Sequence, residues 1–338
     1  MLKVSRPVDC EQIVEFNMPE RYIKLPIEKY LELLPSPVGG GSVLENVNRP
    51  QIALINAINS PKYRFVCAAL SRRLGKTFIS NIIAQLVLLI PNSNVLIMSP
   101  NYSLSNISFE LQRKLIKTFD LEVSKDNSKD RVIEISNGST VRTGSVNQVD
   151  SCVGRSYNLI LFDEAALSND GEAAFNVSLR PTLDLPNSKA IFISTPRGKR
   201  NWFSRFHARG FSEDFPEWCS ITADYLENPR MSEADVREAK HSMSQAEFEQ
   251  EYLASFNTFE GQIYALTTEN IIDELPQGNY EYFAGLDPGY KDPTAMVIFA
   301  YNTETDVYYI VDDYLEAEKV TSEHAKSIQE LIYKWNVD

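Results

Sequence analysis

The chain has 338 residues, of which 43% are hydrophobic and 23% charged, a composition typical of a folded globular protein with room for two domains. Its formal net charge of −13 argues against tight, autonomous binding to nucleic acid, although local basic clusters can still hold phosphates. No run of about eighteen apolar residues occurs, so the sequence predicts no segment that spans a membrane.

The first 50 residues are punctuated by prolines, and we expect a lead-in with one short helix over 27–34 and a flexible hinge at 39–41. Residues 51–256 then alternate short apolar runs with helical segments, which predicts a parallel sheet covered by helices on both faces. The runs predicted to be buried strands are 64–70, 95–99, 159–162 and 190–194. The helices expected between them include 78–89 and 105–119, and two strands over 132–135 and 139–142 flank the hairpin signal Asn137-Gly138.

The last part of the chain has a different pattern. A charged helical stretch over 232–253 is followed by a linker over 257–278. Residues 279–338 predict a second domain that begins with three antiparallel strands, over 282–287, 295–300 and 307–312, and ends in an amphipathic helix over 322–335. The sequence therefore predicts the α/β class, with a larger parallel-sheet domain first and a smaller domain led by strands.

Residues 71–77, Ser-Arg-Arg-Leu-Gly-Lys-Thr, lie between a predicted strand and a predicted helix, where a phosphate-binding loop belongs. There the backbone N–H groups face the phosphates, Lys76 supplies a positive charge, and the Thr77 hydroxyl can bind Mg²⁺. The standard pattern has glycine where this chain has Leu70, so the generic motif matches only as Gly-Lys-Thr. The alternative interpretation is an ordinary strand-to-helix turn.

The run Leu-Ile-Leu-Phe over 159–162 ends in two acids, Asp163 and Glu164. Since desolvating a carboxylate is costly, a buried strand that ends in paired acids indicates a function for them. Asp163 would hold Mg²⁺, and Glu164 would activate the attacking water, although acids are also favoured at the start of a helix. The sequence has only three histidines and no Cys-x-x-Cys pair, which also favours a metal held by oxygen and a reducing compartment. Together the loop and the acids predict ATP hydrolysis.

Four segments resemble the large terminase subunit of tailed bacteriophages, a family shared with herpesviruses. Residues 71–77 look like its variant Walker A motif, and Leu-Ile-Leu-Phe-Asp-Glu-Ala-Ala-Leu over 159–167 resembles its Walker B motif. Ser194-Thr195-Pro196 is similar to its coupling motif, and 285–295 resembles the opening of its RNase H-like nuclease. The resemblance implies a P-loop (RecA/ASCE-like) ATPase domain followed by the N-terminal part of an RNase H-like α/β nuclease domain.

The resemblance also implies roles for individual residues. Gln51 would lie on the adenine side, Arg72 would reach the γ-phosphate, and Ser194 and Thr195 would sense that phosphate. Arg142 and Arg155 are candidates for an arginine finger that acts on a neighbouring subunit, and the sequence does not choose between them. The residues expected to bind the nucleotide are Gln51, Ser71, Arg72, Arg73, Leu74, Gly75, Lys76, Thr77, Asp163, Ser194 and Thr195.

Asp287 ends the first strand of the second domain, where an RNase H-like site binds two divalent metals, Mg²⁺ or Mn²⁺. Asp292 is interpreted as an outer ligand or a turn cap, and Asp312 and Asp313 as part of a solvated acidic loop. The remaining nuclease acids of the family are absent before residue 338, so we expect little or no nuclease activity from this chain alone.

By resemblance, the chain is expected to be the ATP-driven motor subunit that translocates double-stranded DNA into a procapsid. Its expected partners are a portal ring, a small terminase subunit and like subunits in a ring, with no membrane. We expect it in the host cytoplasm at the procapsid portal, and not in the mature virion. Two alternatives stay open: a helicase-like or repair P-loop ATPase, which would carry a second RecA-like domain, and a non-catalytic assembly module. The basic cluster at 197–209 is interpreted as a DNA or neighbour contact, or as a solvated loop.

Overall fold

The computed structural model describes residues 1–14, 27–36, 40–257, 270–289, 293–317 and 319–337. It divides into two compact units, Met1–Gln262 and Ile263–Asp338. Within the described residues, no helix combines the length and the apolar character needed to cross a bilayer. The predicted linker over 257–278 lies largely outside the described residues, as do Asp292 and the start of the predicted hinge at 39–41.

The first unit is built on a nine-stranded sheet. Its strands are β1 (Leu2–Val4), β2 (Phe65–Leu70), β3 (Asn94–Ser99), β4 (Val123–Asn127), β5 (Val132–Ile135), β6 (Thr140–Ser145), β7 (Leu159–Asp163), β8 (Lys189–Ser194) and β9 (Trp218–Ala223). Its helices are α1 (Ile27–Leu33), α2 (Val43–Asn46), α3 (Arg49–Asn59), α4 (Lys76–Leu88), α5 (Tyr102–Thr118), α6 (Trp202–Arg209), α7 (Glu233–Ser242) and α8 (Gln245–Leu253). Short helical turns lie over Val146–Cys152, Ala165–Leu167, Gly171–Ala173, Ala174–Leu179, Arg180–Thr182 and Tyr225–Glu227.

The strands lie in the spatial order β1-β9-β2-β8-β7-β3-β6-β5-β4. The six strands from β9 to β6 are parallel, whereas β1, β5 and β4 pair antiparallel at the two sides. The predicted α/β class with a parallel-dominated sheet is therefore confirmed. β8 lies between β2, which leads into the loop, and β7, which ends in the paired acids.

Side chains alternate across the central strands and fill a core on each face of the sheet. Val66 and Ala68 of β2 belong to a largely aliphatic core, and Phe65 and Cys67 to a second core. The second core contains the rings of Phe65, Phe162, Phe175, Phe192, Trp202, Phe206 and Trp218. Since both faces are buried, these strands have the near-continuous apolar sequence that predicted them.

The four central strands predicted from apolar runs match β2, β3, β7 and β8 to within one residue at each end. The helical stretch predicted over 232–253 is two helices, because Ser244 and Glu247 form a capping box that begins α8. The 1–50 segment also contains more than the expected short helix: Leu2–Val4 forms β1 and pairs with β9.

The second unit has a three-stranded antiparallel sheet in the order β10 (Tyr280–Asp287), β11 (Thr294–Asn302) and β12 (Val307–Glu316). Helix α9 (Thr321–Trp335) packs on one face, over buried Met296, Ile298 and Ala300. The predicted acidic loop at Asp312 and Asp313 was wrong, because β12 continues to residue 316. Asp312 accepts hydrogen bonds from Lys334 Nζ and Trp335 Nε1, both at 2.7 Å, and so ties α9 to the sheet.

Candidate nucleotide site

The predicted loop lies where β2 gives way to α4, at the carboxyl edge of the parallel strands. Ser71 is fully buried, and its N–H donates to Ala223 O at the end of β9 (2.9 Å). Arg73 and Gly75 both have left-handed backbones, with φ of 62° and 72°. Two side-chain amides bind backbone carbonyls of this loop. Asn228 Nδ2 donates to Arg73 O, and Gln51 Nε2 donates to Leu74 O, each at 3.1 Å. The loop shape is therefore set by groups outside the loop.

Lys76 begins α4 and is 7% exposed. Its Nζ donates to Ser71 O at 3.1 Å and to Thr195 Oγ1 at 2.9 Å, and none of the ion pairs in the described part of the chain includes it. Burial lowers the pKa of the ammonium, while the nearby Glu164 and Asp163 carboxylates act in the opposite direction. A desolvated cation with only neutral direct partners is suited to receive an anion.

Asp163 ends β7 and is 5% exposed. Burial, followed by the neighbouring Glu164 carboxylate, raises the pKa of Asp163 to about 6, and the Thr77 side chain and Lys76 oppose the shift. Asp163 Oδ1 is buried and meets no hydrogen-bond donor. A buried carboxylate oxygen of this kind, beside a threonine hydroxyl, fits the oxygen ligands that Mg²⁺ requires.

Glu164 follows directly in a left-handed conformation, with φ 51° and ψ 42°. A non-glycine residue in this region costs about 1–3 kcal/mol, and such strain is concentrated at functional sites. Ser194 Oγ, at the end of β8, donates to Glu164 Oε2 at 3.4 Å. Because Thr195 contacts Lys76, the coupling segment lies against both the loop and the acid.

Arg72 makes a contact that the sequence did not predict. Its Nε forms a short ion pair with Glu251 of α8, whose backbone oxygen also accepts from the Arg72 N–H at 2.9 Å. The hydrogen bond that Arg72 donates to the Glu251 carboxylate raises the pKa of Arg72. Sequence reasoning missed Glu251 and Asn228 because they follow the loop by more than 150 positions and belong to no local motif.

A cavity of about 510 Å³ opens beside this loop. Its lining includes Gln51, Gly75 and Phe78 at the loop, and Met231 and Tyr252 from later in the chain. The volume falls within the range of ordinary small-molecule sites. The cavity, the loop and the two acids belong to the same unit.

The structure does not bring every predicted site residue to this edge. Asp287 is exposed at the end of β10 in the second unit. Arg142 lies on β6, two strands beyond β7, and donates to Asp130 O at 3.4 Å, and Arg155 precedes β7. Within the described ranges, no group of three or more histidine, cysteine or acidic side chains is placed to hold a metal.

Part of the predicted basic cluster at 197–209 is engaged within the fold. Arg205 forms an ion pair with Glu172. The Arg209 guanidinium lies over the rings of Phe206 and Trp218, at 4.3 and 5.0 Å from their centroids. Arg209 therefore covers part of the aromatic core, and Arg205 is paired within the same unit.

A phosphate-type loop after β2 and paired acids after β7, with β8 between them, define the class of P-loop ATPases. The family "Terminase large subunit, T4likevirus-type, N-terminal" matches residues 67–271. The large terminase subunit of Escherichia phage T5 is 44% identical over 351 residues, which cover 100% of this chain and 77% of that protein.

Solved structures show the same fold. The large terminase of a thermophilic bacteriophage, in complex with ADP, matches with a TM-score of 0.55 and 17% identity over 85% of this chain and 74% of that one. The large terminase ATPase domain of Thermus phage P74-26 matches with a TM-score of 0.51 and 23% identity. That match covers 66% of this chain and 98% of the phage domain. The chain belongs to the terminase large subunit family, and its role is that of a phage DNA-packaging motor subunit. Nothing in these matches supports the helicase-like or assembly-module alternatives.

Proposed function

We propose that this motor subunit hydrolyses ATP between the loop over 71–77 and the paired acids, and that hydrolysis drives double-stranded DNA into a procapsid. One observation carries the assignment of the site. The buried Lys76 ammonium, whose direct partners are neutral, lies at the same edge as the buried Asp163, whose Oδ1 has no donor. Two buried and incompletely satisfied groups of opposite charge suit a ligand that carries both phosphate and a divalent cation.

Each residue then has a task that follows from its position. The loop N–H groups and Lys76 bind the phosphates, and Glu164 orients the attacking water and accepts its proton. Ser194 Oγ donates to Glu164 Oε2, and Thr195 Oγ1 accepts from Lys76 Nζ, so the end of β8 and the residue after it contact both the acid and the lysine. Thr77 and Asp163 would hold Mg²⁺, which when bound neutralises charge that develops on the phosphate oxygens. Arg72, which is paired with Glu251 in this structure, is the residue proposed to add positive charge near the γ-phosphate.

The cavity of about 510 Å³ beside Gly75 is proposed to take the nucleoside part of ATP. It adjoins the loop on the side of Gln51, so a nucleotide whose phosphates lie along the loop can extend into it. The complex of the thermophilic phage's large terminase with ADP supports nucleotide binding by this fold.

Steady-state ATP hydrolysis, with and without double-stranded DNA, tests this proposal. Wild type is expected to turn over ATP. Glu164→Gln should lose at least a hundredfold in kcat, the usual scale for removing a catalytic acid–base group. Lys76→Ala should also lose turnover, because it removes the buried positive charge that binds the phosphates. Lys62→Ala, an exposed lysine outside the site, is the control for the charge change. Turnover that survives both substitutions would remove the assignment.

A second part of the proposal concerns Asp287, which we assign to a nuclease site in the second unit. Across the sheet, Asp287 pairs with Ala295, and Ala295 pairs with Leu315. The adjacent register positions therefore supply no second carboxylate, whereas two-metal cleavage needs several. The purified chain is expected to leave plasmid DNA intact with Mg²⁺ or Mn²⁺, and metal-dependent cleavage that Asp287→Asn abolishes would contradict this.

As a phage terminase subunit, the protein acts in the infected host during packaging. We further propose that it works at the procapsid portal, as a ring of like subunits with a small terminase subunit. Family membership supports this assembly. Portal rings added to the purified chain are expected to raise both its sedimentation coefficient and its ATP turnover, and no change in either would count against it.

A further inference from the structure

Buried polar side chains lie between α4 and α5, within an otherwise aliphatic core. Asn81 on α4 and Ser108 and Gln112 on α5 are each 0% exposed. Their neighbours Ile82 and Phe109 belong to the aliphatic core on this face of the sheet. Because a polar group taken out of water costs free energy unless it is hydrogen-bonded, polar side chains in such a place indicate a specific task.

The hydrogen bonds of Asn81 join α5 to the first turn of α4. Gln112 Nε2 donates to Asn81 O at 2.8 Å and to Asn81 Oδ1 at 3.1 Å. Asn81 Nδ2 donates in turn to Thr77 O at 2.7 Å and to Ser108 Oγ at 3.2 Å. The amide of Asn81 therefore connects two side chains of α5 to the backbone of Thr77.

Thr77 and Asp163 are the two residues proposed to hold Mg²⁺, and they belong to different elements. Thr77 is the second residue of α4, and its side chain lies beside Asp163 at the end of β7. Mg²⁺ requires near-ideal octahedral geometry with ligands at about 2.0–2.1 Å, so a small shift of one ligand relative to the other weakens binding. Helix α5 packs against β3, and β3 pairs with β7. A contact from α5 to Thr77 O therefore fixes α4 relative to the strand that carries Asp163.

Replacing both partners of a buried hydrogen bond by apolar groups of the same shape is often neutral, so stability alone does not require these contacts. We propose that Gln112 and Asn81 are positioning residues for the magnesium site, which hold α4 so that Thr77 stays beside Asp163. This inference rests on the proposed nucleotide site. It concerns the metal ion, whereas the phosphates are bound by Lys76 and the loop N–H groups.

Gln112→Met is the test variant, because methionine keeps the volume and removes both hydrogen bonds to Asn81. Gln85→Met is the matched control. Gln85 lies one turn beyond Asn81 on α4 and is also 0% exposed, but its amide atoms have no hydrogen-bond partner among the described residues. Ser108→Ala, which removes only the 3.2 Å contact with Asn81, stays informative if Gln112→Met folds poorly.

Two measurements separate the metal from the phosphates. The first is the Kd of ADP by calorimetry, in EDTA and in Mg²⁺, which involves no hydrolysis. The second is ATP turnover as a function of free Mg²⁺, which gives the concentration for half-maximal activity. Thermal midpoints without nucleotide report whether each variant remains folded.

Gln112→Met is expected to weaken ADP binding in Mg²⁺ and to raise the half-maximal Mg²⁺ concentration, each by roughly threefold to tenfold, as for the loss of one hydrogen bond. ADP binding in EDTA should stay unchanged, and Gln85→Met should change neither quantity. Ser108→Ala should shift both quantities in the same direction by a smaller factor.

Three results would overturn the inference. A lower thermal midpoint with unchanged Mg²⁺ dependence would indicate a purely structural role for Gln112. Equal weakening of ADP binding with and without Mg²⁺ would place the effect on the phosphate loop, and an equal shift in Gln85→Met would make it a general effect of changing this core. Wild-type binding and turnover that ignore Mg²⁺ would instead remove the proposed magnesium site itself.

Discussion

Replacement of Gly75 by alanine tests how the loop is held. Two terms add. A left-handed backbone costs an alanine about 1–2 kcal/mol relative to glycine. The new Cβ would also lie 2.6 Å from Gln51 Nε2, so the amide must leave Leu74 O, and an unsatisfied buried carbonyl costs about 1–3 kcal/mol. The variant is therefore expected to lose about 2–5 kcal/mol of unfolding free energy, against about 5–15 kcal/mol for a typical domain.

Gly154→Ala is the matched control, because Gly154 has φ of 79° and nothing within 4 Å of its added Cβ. It should lose only the backbone term, about 1–2 kcal/mol. Urea unfolding without nucleotide, followed by fluorescence, measures both variants. Trp202 and Trp218 are buried in the first unit and report its unfolding there, whereas Trp335 belongs to the second.

The double variant with Gln51→Ala isolates the clash. Once the glutamine side chain is gone, the Cβ of residue 75 meets no amide, so the two substitutions should be less than additive by about 1–3 kcal/mol. Additive losses, or a Gly75→Ala variant no less stable than Gly154→Ala, would show that Gln51 does not hold the loop as described.

Three further outcomes are expected from urea unfolding. Glu251→Gln should change the unfolding free energy by less than about 1 kcal/mol, because its partner Arg72 is largely exposed; a change above about 3 kcal/mol would contradict this. Burial lowers the pKa of His207 from 6.5 to about 4, so the wild type should lose about 3 kcal/mol of unfolding free energy as the pH falls between these values. His207→Gln should lack that loss. Equal pH profiles of stability for the wild type and the variant would refute the assigned shift. Burial raises the pKa of Asp163 from 3.8 to about 6, so nucleotide-free wild type should lose stability as pH rises between these values. Asp163→Asn should be more stable at pH 7 by up to about 3 kcal/mol while losing hydrolysis, and an equal or lower stability would refute the assigned shift.

The central strands β2, β3, β7 and β8 were predicted because their runs are almost entirely apolar and buried. β9 was missed because Ser220 and Thr222 interrupt its apolar run. Their hydroxyls are nonetheless satisfied inside the fold: Ser220 Oγ donates to His207 O at 2.7 Å, and Thr222 Oγ1 lies 2.9 Å from His207 Nε2. β4 was missed for the opposite reason, since its polar side chains are mostly exposed and carry no periodic signal.

The residues of the candidate site also fall into a group that local patterns predicted and a group that they did not. Lys76, Thr77, Asp163 and Glu164 were predicted because loop and acids each follow a buried strand, and the structure brings them to one edge. The contacts that set the loop shape, through Gln51, Asn228 and Glu251, join segments far apart in the chain. Such contacts depend on tertiary packing, which no local pattern encodes. The role of each residue in hydrolysis stays a prediction until the variants are measured.

The strand order determines when each strand can find its neighbours while the protein is being synthesised. β2 is made early, yet its neighbours β8 and β9 come from residues 189–194 and 218–223. β1, which precedes β2 in the chain, pairs with β9, the last strand of this sheet in sequence order. Contacts of such large separation close slowly, because the intervening chain must be ordered before they form. The apolar surface of β2 therefore stays uncovered until most of the motor unit has been translated, and that interval is when the nascent chain is most exposed to misassembly.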